Sequence, residues 1–321
     1  MWSGTRRAAA RIERAGGSRQ IIRWAVIYLR GRLNYGALSM RSIGLCLALV
    51  LAASLILSGC IEQPRVDGGD KLLVVATISP LGEFVKAVGG DRVDVMVLLP
   101  PGADPHTFEP TPVQMKHIEN SDLYVKNGAG LELWLDRFSS EGLKVVDSSE
   151  GIELIYLNGT PDPHIWLSPR CAMIQVENIC RALIEVDPDG REIYESNRDA
   201  YINELKGLDE YLKNILSSAK GRIFVVDHPA WSYLARDYGL VQVAIEEGER
   251  EPGPRRIAYI IKTVRDNNIK AILVEPEFNP KMAEVIASEA GCEVVEIDPL
   301  AGNYINNMRA VGDTIAESIG A

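Results

Sequence analysis

The chain has 321 residues, of which 46% are hydrophobic and 24% charged, with a formal net charge of −10. That apolar content and length exclude a disordered or fibrous protein and leave room for two domains of ordinary size. The charge is unevenly spread: after Cys60 there are 25 basic against 43 acidic residues, about −18, which argues against nucleic acid or an anionic lipid surface as the main partner and suits a ligand that is a cation.

Residues 1–39 hold eight arginines, one glutamate and no lysine. They read either as a basic leader or as upstream sequence ahead of a true start at Met40. Residues 40–59 follow the order of a secretory signal: Arg41, an apolar run from Ile43 to Leu57, then Ser58 and Gly59 before Cys60. The run is about fifteen residues, short of the roughly twenty that span a bilayer. Leu-Ser-Gly-Cys resembles the lipobox of prokaryotic lipoproteins, which implies cleavage before Cys60, a lipid on its sulfur and a tether over residues 60–70. A plain signal peptide, or an uncleaved anchor helix whose cysteine is incidental, is the alternative.

From Gly68 onward short apolar runs alternate with amphipathic stretches, the signature of βα units and a mostly parallel sheet. Strands are expected at Leu72–Ala76, Val93–Leu99, Leu123–Lys126, Lys144–Val146, Arg222–Val226, Gln242–Ile245, Ala271–Val274 and Val294–Ile297. Helices are expected at Val113–Glu119, Leu131–Ser139, Arg255–Asn267, Pro280–Ala290 and Tyr304–Ser318. One segment breaks the alternation. Asp187 to Lys220 reads as a single long helix with Asp187 as N-cap, Pro188 in the first position, and Tyr194, Tyr201, Leu205, Leu208, Leu212 and Ile215 on one stripe. The fold class expected is α/β, with two βα lobes over 71–187 and 221–321 joined by a rigid linker helix over 188–220. One large doubly wound domain with a long crossover helix is the competing architecture.

Three cysteines follow Cys60. Cys171 and Cys180 fall in one predicted helix, about 13 Å apart along its axis, too far for a disulfide. With Cys292 they lack the spacing of a zinc ribbon.

The chain has four histidines, and two share an Asp-Pro-His tripeptide: DPHTFEP at 104–110 and DPHIWLSP at 162–169. His106 follows the Val93–Leu99 strand through PPGADP, His164 precedes a helix start at Ser168-Pro169, and His228 directly follows RIFVVD, before a helix starting at Pro229. In open α/β sheets ligands bind beyond the carboxyl ends of the strands, where these side chains fall. Asp104, Asp162 and Asp227 sit one or two residues from a histidine, placed either to orient a ring or to cap a turn. His117 lies mid-helix on a polar stretch and reads as a surface residue.

The segments PPGADPHTFEPTP, PDPHIWLSP, DHPAWSYLARDYGL, EPGPRRIAYII, VEPEFNPK and EIDPLAGNY resemble, in order and spacing, the zinc- and manganese-binding lipoproteins that serve ABC importers, the cluster A-I substrate-binding proteins. The resemblance runs from about Leu72 to the C-terminus. It implies four metal ligands at His106, His164, His228 and Asp298, in a cleft between two lobes. Asp298 is selected by this resemblance alone. Three imidazoles and a carboxylate suit zinc, and a histidine rather than a glutamate at position 228 favours it over the harder manganese. The His- and Asp-rich loop of many zinc receptors is absent around Gly128–Gly159, and manganese stays open as the cargo.

The implied function is a monomeric, lipid-anchored receptor on the extracytoplasmic face of the membrane that hands zinc to an ABC permease and is not an enzyme. Three neutral imidazoles are required, so affinity is expected to fall as pH drops through about 6.5. A zinc hydrolase would need an open position and a base such as the Glu of H-E-x-x-H, a motif the chain lacks, with Glu275 the only substitute. A surface adhesin is the second rival.

Overall fold

The computed structural model describes residues 71–137, 142–246 and 252–320. The leader, the signal segment, the tether and Cys60 lie outside the described residues.

The first sheet contains β1 (Leu72–Ala76), β2 (Val93–Val97), β3 (Leu123–Lys126) and β4 (Val145–Asp147) in the order β2-β1-β3-β4, with all neighbours parallel. Its helices are α1 (Ser79–Gly89), α2 (Pro112–Glu119) and α3 (Pro169–Val186). The second sheet contains β7 (Ile223–Val226), β8 (Val241–Ala244), β9 (Ala271–Val274) and β10 (Glu293–Glu296) in the order β10-β9-β7-β8, again all parallel. It carries α5 (Ser232–Tyr238), α6 (Pro254–Asp266), α7 (Lys281–Ala290) and α8 (Tyr304–Ser318). The buried runs VVA of β1 and AILV of β9 are what a sheet covered on both faces requires. Between the halves runs α4 (Arg191–Ile215), 25 residues and about 37 Å long. A short antiparallel hairpin, β5 (Tyr156–Leu157) and β6 (Thr160–Pro161), turns through Asn158 and Gly159, both at positive φ.

The helix α4 buries Tyr194, Tyr201, Leu205, Leu208 and Leu212, steps of seven, four, three and four that keep one stripe inward. That stripe packs on α1 and α3 from the first half and on α8 from the second. One continuous core therefore runs from Val74 to Ile319 through both sheets, while a second cluster, including Val225, Ile260 and Ile286, fills the far side of the second sheet. Joining the halves through a shared core rather than a strand hinge resists opening.

Most predicted boundaries fall within two residues of the observed ones, and three expectations change. Asp187 does not cap the long helix: its carboxylate accepts the Arg92 guanidinium at 2.7 and 2.9 Å and the Tyr194 hydroxyl at 2.5 Å. Pro188–Gly190 forms a 3-10 turn before α4 begins at Arg191. The helix expected at Leu131–Ser139 is a short 3-10 turn, Leu133–Arg137, because Glu132 folds back to accept from the Asn127 and Gly128 amides. The helix expected at Pro229 starts at Ser232, since the His228 carbonyl is taken by the Ala230 amide in a tight turn.

Candidate metal centre

His106, His164 and His228 come together. Their ligating nitrogens lie within 4.8 Å of one another, with His164 Nε2 at 3.1 Å from His106 Nε2 and 3.4 Å from His228 Nε2. In a tetrahedron with zinc–nitrogen bonds of about 2.0–2.1 Å, neighbouring donors stand about 3.3 Å apart. The triad is thus spaced for one ion.

The three histidines are held in different ways. At His106, Asp104 Oδ1 accepts the histidine's backbone N–H at 2.8 Å and Oδ2 accepts the Thr107 hydroxyl at 2.9 Å, an Asx turn that fixes the backbone and leaves the ring alone. At His164, Asp162 Oδ1 accepts both the backbone N–H at 3.0 Å and ring Nδ1–H at 2.7 Å. The Asp162–His164 turn is pinned from both halves, by Asn127 Nδ2 donating to the Pro163 carbonyl at 2.8 Å and the Tyr233 hydroxyl donating to the Asp162 carbonyl at 2.8 Å. His228, at the end of β7, receives its orienting carboxylate from elsewhere. Asp227 Oδ1 accepts only the backbone N–H, at 2.8 Å, while ring Nδ1 meets Glu246 Oε2 at 3.0 Å. The Phe278 ring stacks on His228 with centroids 4.6 Å apart. With Nδ1–H of His164 and of His228 given to carboxylates, the Nε2 lone pairs face one another, as a metal site requires.

Burial, reinforced by the neighbouring imidazoles His164 and His228, lowers the His106 pKa to about 3. Burial also lowers His164, against the opposing pull of Asp162. At His106 a proton therefore competes with a metal only well below the pH of about 6.5 expected from an ordinary histidine, and at His164 the competition is shifted in the same direction. Burial works to raise Asp162 as well, but the His164 donors outweigh it and hold the carboxylate below its ordinary value.

Asp298 follows β10 as expected, half-buried, but it is not among the side chains within 4.8 Å of one another at the triad. Its Oδ1 accepts the Leu300 amide at 2.7 Å and its carbonyl accepts Asn307 Nδ2 at 2.8 Å. Nearer the second sheet, Glu275 is 3% exposed and accepts Trp231 Nε1 at 2.9 Å. Burial pushes Glu277 up to about 7 and Asp227 up to about 6. His117 is half-buried in α2 and is not in the triad. In front of the triad opens a cavity of about 950 Å³, lined among others by Thr107, Asn158, Gln242, Glu246 and Arg256.

Glu246, Phe278 and Glu277 were missed in the sequence. Glu246 lies just past the end of β8, so the strand-end rule that located the histidines would have flagged it; Glu277 and Phe278 follow β9 within the VEPEFNPK segment, which carried the resemblance without marking either side chain.

Residues 74–318 match the family model described as ZnuA: Zinc-uptake complex component A periplasmic. The chain is 32% identical over 306 residues to the high-affinity zinc uptake system protein ZnuA of Bacillus subtilis (strain 168), covering 84% of this chain and 96% of that protein. It is 32% identical over 294 residues to the iron-binding protein YfeA of Yersinia pestis, covering 85% and 94%. A crystal structure of ZnuA superposes with a TM-score of 0.75 at 39% identity, covering 78% of this chain and 99% of the other. The superposition shows a common fold, and with the family match over residues 74–318 the chain belongs to the ZnuA family of zinc-uptake components.

Proposed function

We propose that this protein captures zinc outside the cytoplasm and delivers it to an ABC-type permease. The observation that carries the reading is the convergence of three Nε2 atoms at 3.1 and 3.4 Å, the edge lengths of a zinc tetrahedron. His106, His164 and His228 hold the ion, and Asp298 supplies the fourth donor once its carboxylate turns from the Leu300 amide. Zinc is cargo and no reaction follows its binding, in keeping with the missing H-E-x-x-H motif. Lobes over 71–187 and 221–321, a linker over 188–220, a lipid on Cys60 and a monomeric state complete the proposal. The core shared through α4 supports small movements on loading, confined to the loops that carry His228 and Asp298.

Elemental analysis and a chelator-competition titration on the purified protein test this. One zinc per chain, lost in a His164→Ala variant, supports it; a wild-type chain that holds no zinc overturns it. A second reading, another divalent transition metal as cargo, rests on the similarity to a protein named as iron-binding. Titration with manganese and iron(II) beside zinc separates the two.

A further inference from the structure

On a face lined by none of the residues around the triad cavity, four cations converge on one concavity. Arg170, Lys213, Lys220 and Arg236, with Ser217, Asp237 and Tyr238, line a cavity of about 370 Å³. They come from the first turn of α3, the end of α4, the turn after it and the end of α5. In a chain whose portion after Cys60 is about −18, this grouping runs against the general balance.

The nearby carboxylates are already engaged. Asp237 has a side chain only 5% exposed and accepts the Ser168 hydroxyl and Arg236 Nε, the latter at 2.9 Å. Asp209 accepts Arg170 Nε at 3.0 Å and the Tyr238 hydroxyl at 2.9 Å. Among the described residues the outer two nitrogens of Arg170 have no hydrogen-bond partner and Lys213 and Lys220 have no ion pair. The cations are also held in place. The Arg170 guanidinium lies 5.7 Å from the Tyr238 ring centroid and that of Arg236 5.1 Å from Tyr233. The Lys220 stem crosses Gly239, where an added Cβ would stand 3.2 Å from Lys220 Cγ.

Helix dipoles explain only part of this. Lys213 and Arg236 sit in the last turns of α4 and α5, where a cation offsets the carbonyl end. Arg170 sits in the first turn of α3, where a cation is unfavourable and an anion is wanted, and that turn holds no acidic residue. Lys220 lies beyond the end of α4.

We propose that this cavity binds a phosphate-type oxyanion. The two outer nitrogens of the Arg170 guanidinium and two ammonium groups around one concavity match a tetrahedral oxyanion with several acceptor oxygens. The volume exceeds what bare phosphate fills, which favours a phosphate carrying an organic group, from a soluble phosphomonoester or from a phospholipid headgroup.

Calorimetric titration of the zinc-loaded full chain tests the proposal, with inorganic phosphate, glycerol 3-phosphate and a short-chain phosphatidylglycerol below its micelle concentration as probes. The expected result is saturable binding that weakens as salt rises. It should fall about tenfold or more in a Lys213→Gln/Lys220→Gln variant whose zinc binding is unchanged. Tighter binding of glycerol 3-phosphate identifies a soluble phosphomonoester as the source; tighter binding of phosphatidylglycerol identifies the lipid headgroup. Saturable binding of none of the three, or binding that both the double variant and Arg170→Gln retain in full, overturns it.

Discussion

His164 and His228 offer the same imidazole to the same point, yet they are supported differently. His164 takes its orienting carboxylate from two residues back in its own turn, at 2.7 Å, with Asp162 buried and the turn tied to both halves. His228 takes its partner from the end of another strand, at 3.0 Å, and the Glu246 side chain is 30% exposed. One ring is locked locally and from all sides; the other depends on two strand ends staying in register. The fixed ring therefore belongs to the first half of the molecule and the adjustable one to the second.

The largest test of this contrast is His164→Ala. Sharing the roughly 10–16 kcal/mol of a structural zinc site among four donors gives roughly 2.5–4 kcal/mol each, so zinc affinity should fall by roughly a hundredfold to a thousandfold in chelator competition. A loss of less than about tenfold would remove His164 from the ligand set. His228→Glu acts on the adjustable side: an added carboxylate beside Glu246 should move the zinc-to-manganese affinity ratio toward manganese by roughly a hundredfold. An unchanged ratio would mean that position 228 does not set metal choice.

The orienting carboxylates give the sharper comparison. Asp162→Asn should cost about 10–100-fold in zinc affinity, and Glu246→Gln less than about tenfold, because the second contact is longer and wetter. Equal losses would erase the distinction between the two supports.

The pH dependence of the metal-free chain gives a separate test. His106 is held at about 3 in the folded chain against an ordinary 6.5. Between those values the unfolded chain binds a proton that the folded chain does not, so metal-free stability is lost as pH falls. Relative to a His106→Gln variant, the wild type should lose up to about 1.4 kcal/mol per pH unit below 6.5, measured by urea unfolding at stepped pH. Parallel curves for the two proteins would show that His106 is not held neutral.

Much of the fold was legible because parallel strands buried on both faces read as short apolar runs, and the 3.6-residue stripe of α4 is long enough to stand out. The triad was legible because Asp-Pro-His recurs and because strand ends carry ligands in this class of fold. Asp162 was legible as a neighbour, though whether it orients a ring or caps a turn was decided by the geometry; it does both, while Asp104 and Asp227 hold the histidine backbone and leave the ring to others. Asp187 was misread because an aspartate before Pro-Asp-Gly has the form of a cap, whereas Arg92, 95 residues away, claims its carboxylate.

By itself the sequence determined the two α/β halves, the long helix between them and the three imidazoles, since each follows from local periodicity or from a turn a few residues long. Only the tertiary structure decided that Glu246 orients His228, that Asp298 rests on the Leu300 amide outside the triad, and that one core joins both sheets. Those are pairings between residues distant in the chain or choices among competing hydrogen bonds, and no local pattern encodes which partner wins.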